Sequence, residues 1–305
     1  MQKIRIGSRG SDLALWQANH VKRQLEALGA EVTITVIKTQ GDQIQDLSFD
    51  KLEGKGFFTK EIETALLSNE VDLAVHSHKD LETNPPAGLV IAAVSERENP
   101  ADVLLIHPSA VATNELWSLK QGAVVGTSSA RRKSQLIGFR PDVSINDLRG
   151  NVPTRLQKLI AGEYDAILLA KAGLDRLQLD LQGMHEEVLD PLEFVPAPAQ
   201  GVLALQIRES DTELFAFMQQ LNHAAVQSKI LLERTVLNRL QGGCQLPLGA
   251  YCPEEGKLLV AYAPTSEEGA QWFEFEGPHD LEMVDVVIDA LLSPEDDDDD
   301  DEEID

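Results

Sequence analysis

Cys244 lies in the run 239–249 (RLQGGCQLPLG), directly after two glycines. Glycine allows backbone angles that other residues resist and lets a bulky group approach the main chain closely. A thiol in such a turn is suited to act as a nucleophile or as the attachment point of a large ligand. A free cysteine packed as a small apolar residue explains the same run equally well. The motif alone leaves both interpretations open.

Three further segments combine backbone N–H groups, short hydroxyls and arginine at a predicted helix start. They are residues 7–11 (GSRGS), 126–132 (GTSSARR) and 149–155 (RGNVPTR), and they hold five of the thirteen arginines. A helix N-terminus is partly positive, and arginine binds a carboxylate or a phosphate through two parallel hydrogen bonds. A capped helix with surface arginines would explain any one segment. Because the chain has no Walker sequence and no GxGxxG after a strand, carboxylates on an organic ligand are the favoured anions.

The run HSHKD (76–80) ends a predicted strand with a carboxylate beside a cation. There Asp80 would stay ionised and could stabilise a developing positive charge. Asp80 could equally cap a helix, and His76 could be a core histidine. His76 and His78 would point to opposite faces of a continuing strand, so we expect no metal site.

A glycine-bearing loop, GKGFFTK (54–60), adds two lysines before a predicted helix. It could form a mobile lid that carries positive charge. An ordinary turn before a helix explains the same residues.

The composition excludes several classes of protein. The 305 residues are 43% hydrophobic, enough for a large core in two or three domains, and no apolar run is long enough to span a membrane. The net charge is −25; ten of the 51 acids lie in residues 295–305, and the other 41 still outnumber the 26 basic residues. An acidic surface argues against nucleic-acid binding, so we expect no nucleic-acid or membrane partner. The acidic end itself is predicted to be a disordered tail.

Cysteine usage points to a reducing compartment. Two cysteines are too few for a disulfide scaffold, and the N-terminal residues show no secretory leader. We therefore expect a cytoplasmic protein.

Strand-like runs alternate with helical periodicities, which is typical of βαβ units in a largely parallel sheet. The rhythm restarts after Pro100, and residues 202–207 are predicted to return as a strand to the first sheet. Ligands of such sheets bind beyond the carboxyl ends of the strands. We predict two α/β domains facing a cleft and a small C-terminal α+β domain that carries Cys244. The predicted bounds are 1–99 with 200–220, 100–199 and 221–293, followed by the disordered acidic tail at 294–305.

Taken in order, the polar segments resemble the porphobilinogen deaminase (hydroxymethylbilane synthase) family along nearly the whole chain, up to about residue 292. The matching runs are SRGSDLALWQA (8–18), GKGFFTKE (54–61), HSHKD (76–80), GTSSARR (126–132), LRGNVPTR (148–155), AGLDRL (172–177), PAPAQG (196–201) and RLQGGCQLPLG (239–249). Motifs in this number and order are very specific.

The resemblance implies a transferase of porphyrin and haem biosynthesis, with two periplasmic-binding-protein-like α/β domains. In such an enzyme Cys244 carries a dipyrromethane cofactor through a thioether. Four porphobilinogen molecules are joined head to tail with loss of ammonia, and the linear tetrapyrrole is released by hydrolysis. The resemblance further implies a monomer whose partner is the small-molecule substrate porphobilinogen.

Site residues follow from the matching motifs. Asp80 matches the catalytic aspartate, and we expect no metal ligand among the site residues. The cofactor-binding positions are Cys244, Lys79, Asp80, Thr127, Ser128, Ser129, Arg131, Arg132, Arg149 and Gly150. The substrate-binding positions are Arg9, Ser11, Arg149, Arg155 and Arg176, and the lid positions are Lys55, Phe58 and Lys60.

Four residues depart from the family pattern. His78 stands where the family usually has Met, and Glu82 stands where it usually has Pro. Glu53 and Ala199 each replace a usual glycine. None of these changes removes a residue that the mechanism requires.

Two other functions fit parts of the sequence. One is a two-lobed carboxylate-binding protein without enzymatic activity, although the missing leader and the additional cysteine-bearing domain argue against it. The other is a hydrolase that uses Cys244 with His76 or His78, which predicts a thiol that is freely alkylated.

Overall fold

The computed structural model describes residues 2–39, 59–243 and 245–292. Several residues singled out above lie outside this range: Glu53, Lys55, Phe58, Cys244 and the acidic tail at 294–305.

The first sheet has five strands, and the last of them comes from far along the chain. The strands are β1 Lys3–Ser8, β2 Glu31–Val36, β3 Leu73–Ser77, β4 Leu89–Val94 and β10 Leu203–Arg208. Their spatial order is β2-β1-β3-β10-β4. Strand β1 pairs in parallel with β2 and β3, whereas β10 runs antiparallel to β3 and β4. The predicted return of the chain to the first sheet is confirmed.

The second sheet repeats this arrangement. Its strands are β5 Asp102–Ile106, β6 Val124–Gly126, β7 Ser144–Asn146, β8 Ala166–Ala170 and β9 His185–Val188. The order is β7-β6-β8-β5-β9, with β6 parallel to β7 and β8, and β5 antiparallel to β8 and β9. Leu104 and Ile106 enter one apolar core and Val103 and Leu105 another. Because successive side chains of a strand alternate, both faces of this sheet are covered.

In each sheet one strand runs antiparallel to both of its neighbours, β10 in the first sheet and β5 in the second, and each of these strands follows directly after the chain crosses from the other sheet. Residues 95–101 lead from β4 to β5, and residues 189–202 lead from β9 to β10. The α/β class is confirmed, but the expectation of largely parallel sheets is only half right, because each sheet has two parallel and two antiparallel pairings. Strands β7 and β9 were not predicted, since they have only three and four residues and a mostly exposed or half-exposed pattern.

Five of the helices in the described part of the chain begin at a residue whose side chain accepts a backbone N–H of the first turn. The helix bounds are α1 Asp12–Ala27, α2 Lys60–Leu67, α3 Ala130–Phe139, α4 Val152–Ile160, α5 Lys171–Leu177, α6 Thr212–Met218, α7 Ala224–Arg239 and α8 Leu281–Leu292. Leu28 is the C-cap of α1, and Gly29 follows with φ +88°. No helix in the described parts of the chain is long and apolar enough to span a membrane.

The third unit is a three-stranded antiparallel sheet packed on α7 and α8. Its strands are β11 Leu248–Tyr251, β12 Lys257–Tyr262 and β13 Gln271–Glu276. Val236, Leu258 and Val284 lie in its core. Trp272 of β13 packs against Gly138 of α3, where an added Cβ would lie 2.5 Å from the indole. The sheet of the third unit is therefore docked on the second.

Candidate active site

The polar loops predicted from the sequence follow the carboxyl ends of parallel strands. Ser11, Ser129 and Asn151 are the N-caps of α1, α3 and α4, and each side chain accepts a backbone N–H of the first helical turn. Such caps satisfy N–H groups that the helix itself leaves without a partner. The Ser11 and Ser129 hydroxyls were predicted as ligand contacts. In the structure each of them caps the N-terminus of its helix.

Strand β3 ends at Ser77, and a single 3₁₀ turn, His78–Asp80, follows. The turn places neighbouring charges in different surroundings, because Asp80 is exposed whereas Lys79 is half-buried. The Lys79 ammonium donates a hydrogen bond of 3.0 Å to Gln200 Oε1. Burial lowers the pKa of Lys79 to about 8; Asp80 opposes this shift and Arg132 reinforces it. Asp80 is thus an accessible carboxylate with a cation beside it.

Arg131 and Arg132 share one buried carboxylate. Arg131 Nη1 lies 2.6 Å from Asp102 Oδ2, and Arg132 Nη2 lies 2.8 Å from Asp102 Oδ1. Burial alone would raise the pKa of Asp102, but the two guanidinium charges outweigh it and hold the pKa below its usual range. Gln200 Nε2 donates to the same Oδ1 at 2.9 Å, so Gln200 connects this cluster to Lys79.

The loop after β7 brings a second group of cations to the same place. Gly150 has φ +111°, in the region that favours glycine, and its carbonyl accepts a 2.8 Å hydrogen bond from Arg155 Nε. Burial lowers the pKa of Arg155 to about 10; Arg132 and Arg149 reinforce the shift, and Asp80 opposes it. Arg155 is thus within electrostatic reach of Asp80 and of the two neighbouring arginines, Arg132 and Arg149.

Arg176 lies on α5 and contacts the first unit. Its Nη2 donates to Gly201 O at 2.8 Å, and its guanidinium lies 5.8 Å from the ring of Trp16 on α1. Burial lowers its pKa. Its buried Nε has no hydrogen-bond partner among the described residues. A donor of this kind is well placed to bind an anionic ligand.

Of the remaining predicted residues, Arg9 and Lys60 lie at the ends of other elements, whereas Thr127 and Ser128 form hydrogen bonds with backbone groups. Arg9 is half-buried at the carboxyl end of β1, and Lys60 is exposed at the start of α2. Thr127 is buried, and its hydroxyl accepts from Ser129 N at 3.3 Å. Ser128 Oγ exchanges two 3.0 Å hydrogen bonds with the Leu148 backbone and so joins two loops.

Both histidines of the run 76–80 are buried. Burial lowers the pKa of His76 to about 4 despite its hydrogen bond to Gln206. Burial, reinforced by Arg234, lowers the pKa of His78 to about 3. No group of three metal-ligating side chains occurs in the described part of the chain.

Asp102, Gln200 and Arg234 were missed as site residues. Arg234 Nη1 and Nη2 donate to His78 O at 3.0 Å, Leu81 O at 3.2 Å and Glu82 O at 2.7 Å. One signal could have indicated Asp102, since it is a lone charge at the start of an otherwise apolar strand. Arg234 has no such signal in the sequence.

Family models and individual relatives that match this chain carry the same family name. The sequence model "Porphobilinogen deaminase, dipyromethane cofactor binding domain" matches residues 4–216, and "Porphobilinogen deaminase, C-terminal domain" matches residues 228–277. A protein named porphobilinogen deaminase from Nitratidesulfovibrio vulgaris (strain DP4) is 46% identical over 259 residues, covering 84% of this chain and 80% of that protein. One of the same name from Neisseria meningitidis (strain Z2491) is 45% identical over 261 residues, covering 85% and 82%.

Solved structures with low sequence identity were also found. The periplasmic aliphatic sulphonate binding protein SsuA from Escherichia coli has a TM-score of 0.41 and 16% identity, covering 79% of this chain and 71% of that one. A substrate binding protein of an amino acid ABC transporter has a TM-score of 0.36 and 12% identity, covering 78% and 94%.

Proposed function

The chain belongs to the porphobilinogen deaminase family, and from that premise we propose how its residues divide the work of the reaction. The enzyme is a hydroxymethylbilane synthase: it joins four porphobilinogen molecules head to tail with loss of ammonia and releases the linear tetrapyrrole by hydrolysis. The alternative function, a two-lobed carboxylate-binding protein without enzymatic activity, is not favoured.

One observation supports the assignment of the site: the exposed carboxylate of Asp80 is within electrostatic reach of Lys79 beside the first sheet and of Arg155 beside the second. Lys79 and Arg155 respond to the charge of Asp80, and Arg132 in turn lowers the pKa of both. Each pyrrole of the substrate bears an acetate and a propionate, so the growing product gathers negative charge. Guanidinium groups bind carboxylates through paired hydrogen bonds, which suits this set of donors to the substrate and its oligomers.

These residues also fit the dipyrromethane of this family. The buried Arg176 Nε has no hydrogen-bond partner among the described residues, and together with the cationic donors Arg132, Arg149 and Arg155 it suits a ligand that bears several carboxylates. Dipyrromethane, when bound through Cys244, supplies the primer onto which substrate units are added. Lys79, Thr127, Ser128, Ser129, Arg131, Arg132, Arg149 and Gly150 are assigned to its binding.

Asp80 stabilises positive charge on the substrate. The protonated amine of porphobilinogen leaves as ammonia with the electrons of the carbon–nitrogen bond, so its positive charge passes to the methylene carbon and the pyrrole ring. A carboxylate held near that ring lowers the energy of the charge where it develops. Arg9, Ser11, Arg149, Arg155 and Arg176 bind the substrate carboxylates.

Arg131 and Arg132 act partly through Asp102. This one buried carboxylate offsets one of the two positive charges, so the pair keeps a net charge of about +1 toward the site. Its burial also fixes both side chains at the start of α3, and fixed donors stabilise charge without reorganising.

The proposal extends to the organisation of the chain. Residues 1–99 with 200–220 form the first domain, 100–199 the second and 221–293 the third, and the acidic residues 294–305 follow outside the described part of the chain. We assign the enzyme to the cytoplasm as a monomer that has no nucleic-acid or membrane partner.

Asp80→Asn tests the assigned chemistry, because it keeps the shape of the side chain and removes its charge. We expect kcat for porphobilinogen consumption to fall by about 100-fold or more, since losing one charge-stabilising group costs about 10²–10³ in rate. Intact-mass analysis should show that the primer is still attached.

The matched control is Glu82→Gln, which makes the same change two residues away and should leave kcat within about twofold. An Asp80→Asn enzyme with wild-type kcat would contradict the role of Asp80.

A further inference from the structure

Helix α7 holds the turn that carries Asp80. One guanidinium, that of Arg234, donates to the carbonyls of His78, Leu81 and Glu82 at 3.0, 3.2 and 2.7 Å. These carbonyls lie on both sides of Asp80 in the chain, so a single planar group fixes the peptide units before and after it.

A second contact lies one helical turn further along α7. Asn84 Nδ2 donates to Asn238 Oδ1 at 3.2 Å. Arg234 and Asn238 are four residues apart and therefore lie on the same face of the helix. Residues 78–84 are thus held by one face of α7 at two successive turns.

The same helix leads into the cysteine-bearing segment. It ends at Arg239, and Gly242 and Gly243 follow directly before Cys244 in the sequence. Helix α7 therefore joins the Asp80 turn in the first unit to the start of the segment that carries the attachment residue.

We propose that Arg234 is a positioning residue for the reaction: by holding the backbone of the 78–82 turn, it sets the place of the Asp80 carboxylate relative to the reacting substrate. This inference rests on the role of Asp80 given above. Since Arg234 binds the backbone oxygen of Glu82, the contact does not depend on which side chain stands at position 82.

The energetics favour a large effect from a small displacement. Hydrogen bonds from a charged donor are stronger than neutral ones, and Arg234 makes three of them to one turn. A misplacement of about 1 Å far from the reacting atoms can lower a rate by about 10²-fold. Lysine keeps the charge but has no planar fork, so it cannot reproduce this contact.

The test compares Arg234→Met and Arg234→Lys with Arg239→Met. Arg239 lies on the same helix, but it forms an exposed 3.3 Å ion pair with Asp285. We expect Arg234→Met to lower kcat by about 10- to 100-fold with KM within about threefold, Arg234→Lys to recover only part of the loss, and Arg239→Met to resemble the wild type. Intact mass should show the primer in all three variants.

Hydrogen–deuterium exchange supplies a readout that does not depend on activity. Deuterium uptake of a peptide spanning residues 77–84 should rise in Arg234→Met and stay at the wild-type level in Arg239→Met. A second readout is a double-mutant cycle, in which Arg234→Met should lower kcat much less in an Asp80→Glu background, because it acts through Asp80.

Wild-type kcat in Arg234→Met, or equal losses of kcat in the two backgrounds, would overturn the positioning role. Asp80→Asn is measured in the same series to separate the two proposals. If Asp80→Asn loses activity and Arg234→Met does not, only the positioning inference fails. If Asp80→Asn keeps its activity, the proposed role of Asp80 fails.

Discussion

Lys79, Asp80 and His78 share one short turn but have different chemical environments. Asp80 is exposed, Lys79 is directed to Gln200, and His78 is buried beside Arg234. The sequence correctly suggested a carboxylate with a neighbouring cation. It did not reveal that His78, at a position where the family usually has Met, is a buried imidazole whose Nδ1 has no hydrogen-bond partner among the described residues.

The buried His78 should make the fold sensitive to acid. Its pKa is about 3 in the folded protein against 6.5 for an ordinary histidine, so the unfolded chain binds the proton first as pH falls. The contribution of the neutral imidazole to the free energy of unfolding is fully present above pH 6.5. It is lost as the pH falls toward 3, by up to about 1.4 kcal/mol per pH unit. We expect the free energy of unfolding of His78→Met to fall less steeply between pH 6 and pH 4.

Urea unfolding across this pH range measures the two slopes. Measurements at pH 8 report packing alone, because the imidazole is neutral there in both states. Equal slopes for the wild type and His78→Met would contradict the predicted titration.

The first two arginines of helix α3 pair with the carboxylate of Asp102, which lies on strand β5. Ser129 could be recognised as the cap of α3 from sequence, and the arginines could be recognised as anion binders. Their partner Asp102 is 29 and 30 residues away in the chain, and such pairing depends on how β5 lies beside β8 in the folded sheet. For the same reason strands β7 and β9 escaped prediction, since long-range pairing rather than local pattern defines them.

Asp102→Asn should destabilise the protein strongly. It leaves Arg131 and Arg132, whose side chains are only 5% and 7% exposed, without their countercharge. Breaking a buried ion pair from one side costs about 3–5 kcal/mol. The free energy of unfolding in urea measures the loss.

Asp147→Asn serves as the control for Asp102→Asn. Asp147 forms a 2.9 Å ion pair with Lys133, and the Asp147 side chain is 46% exposed. That change should cost no more than about 1 kcal/mol. Similar losses for the two variants would contradict the buried-pair account.

Glu233 of α7 connects all three units of the fold. Its buried carboxylate accepts from Arg97 Nη1 at 2.6 Å, from Ala199 N at 2.7 Å and from Cys252 N at 2.9 Å. Arg97 and Ala199 lie on the two segments that cross between the sheets, and Cys252 lies in the third unit. One face of α7 therefore holds the crossing segments, while Arg234 holds the turn of Asp80.

The overall arrangement of the chain was predictable, but the buried charged contacts that join its units were not. The alternation of strand-like runs and helical periodicities predicted the α/β units and the return of residues 202–207 to the first sheet. The role of Glu233 could not be read from sequence, because its three partners come from distant parts of the chain. Buried charges of this kind depend on tertiary packing, which local patterns do not encode.

Growth of the product on Cys244 is the central claim, and intact-mass spectrometry tests it most directly. The purified wild type should carry the mass of two linked pyrroles, and limiting porphobilinogen should add one to three further units in equal steps. Cys244→Ser should be unmodified and inactive. An unmodified wild-type protein that turns over porphobilinogen, or a Cys244→Ser protein that acquires the same mass steps, would contradict the claim.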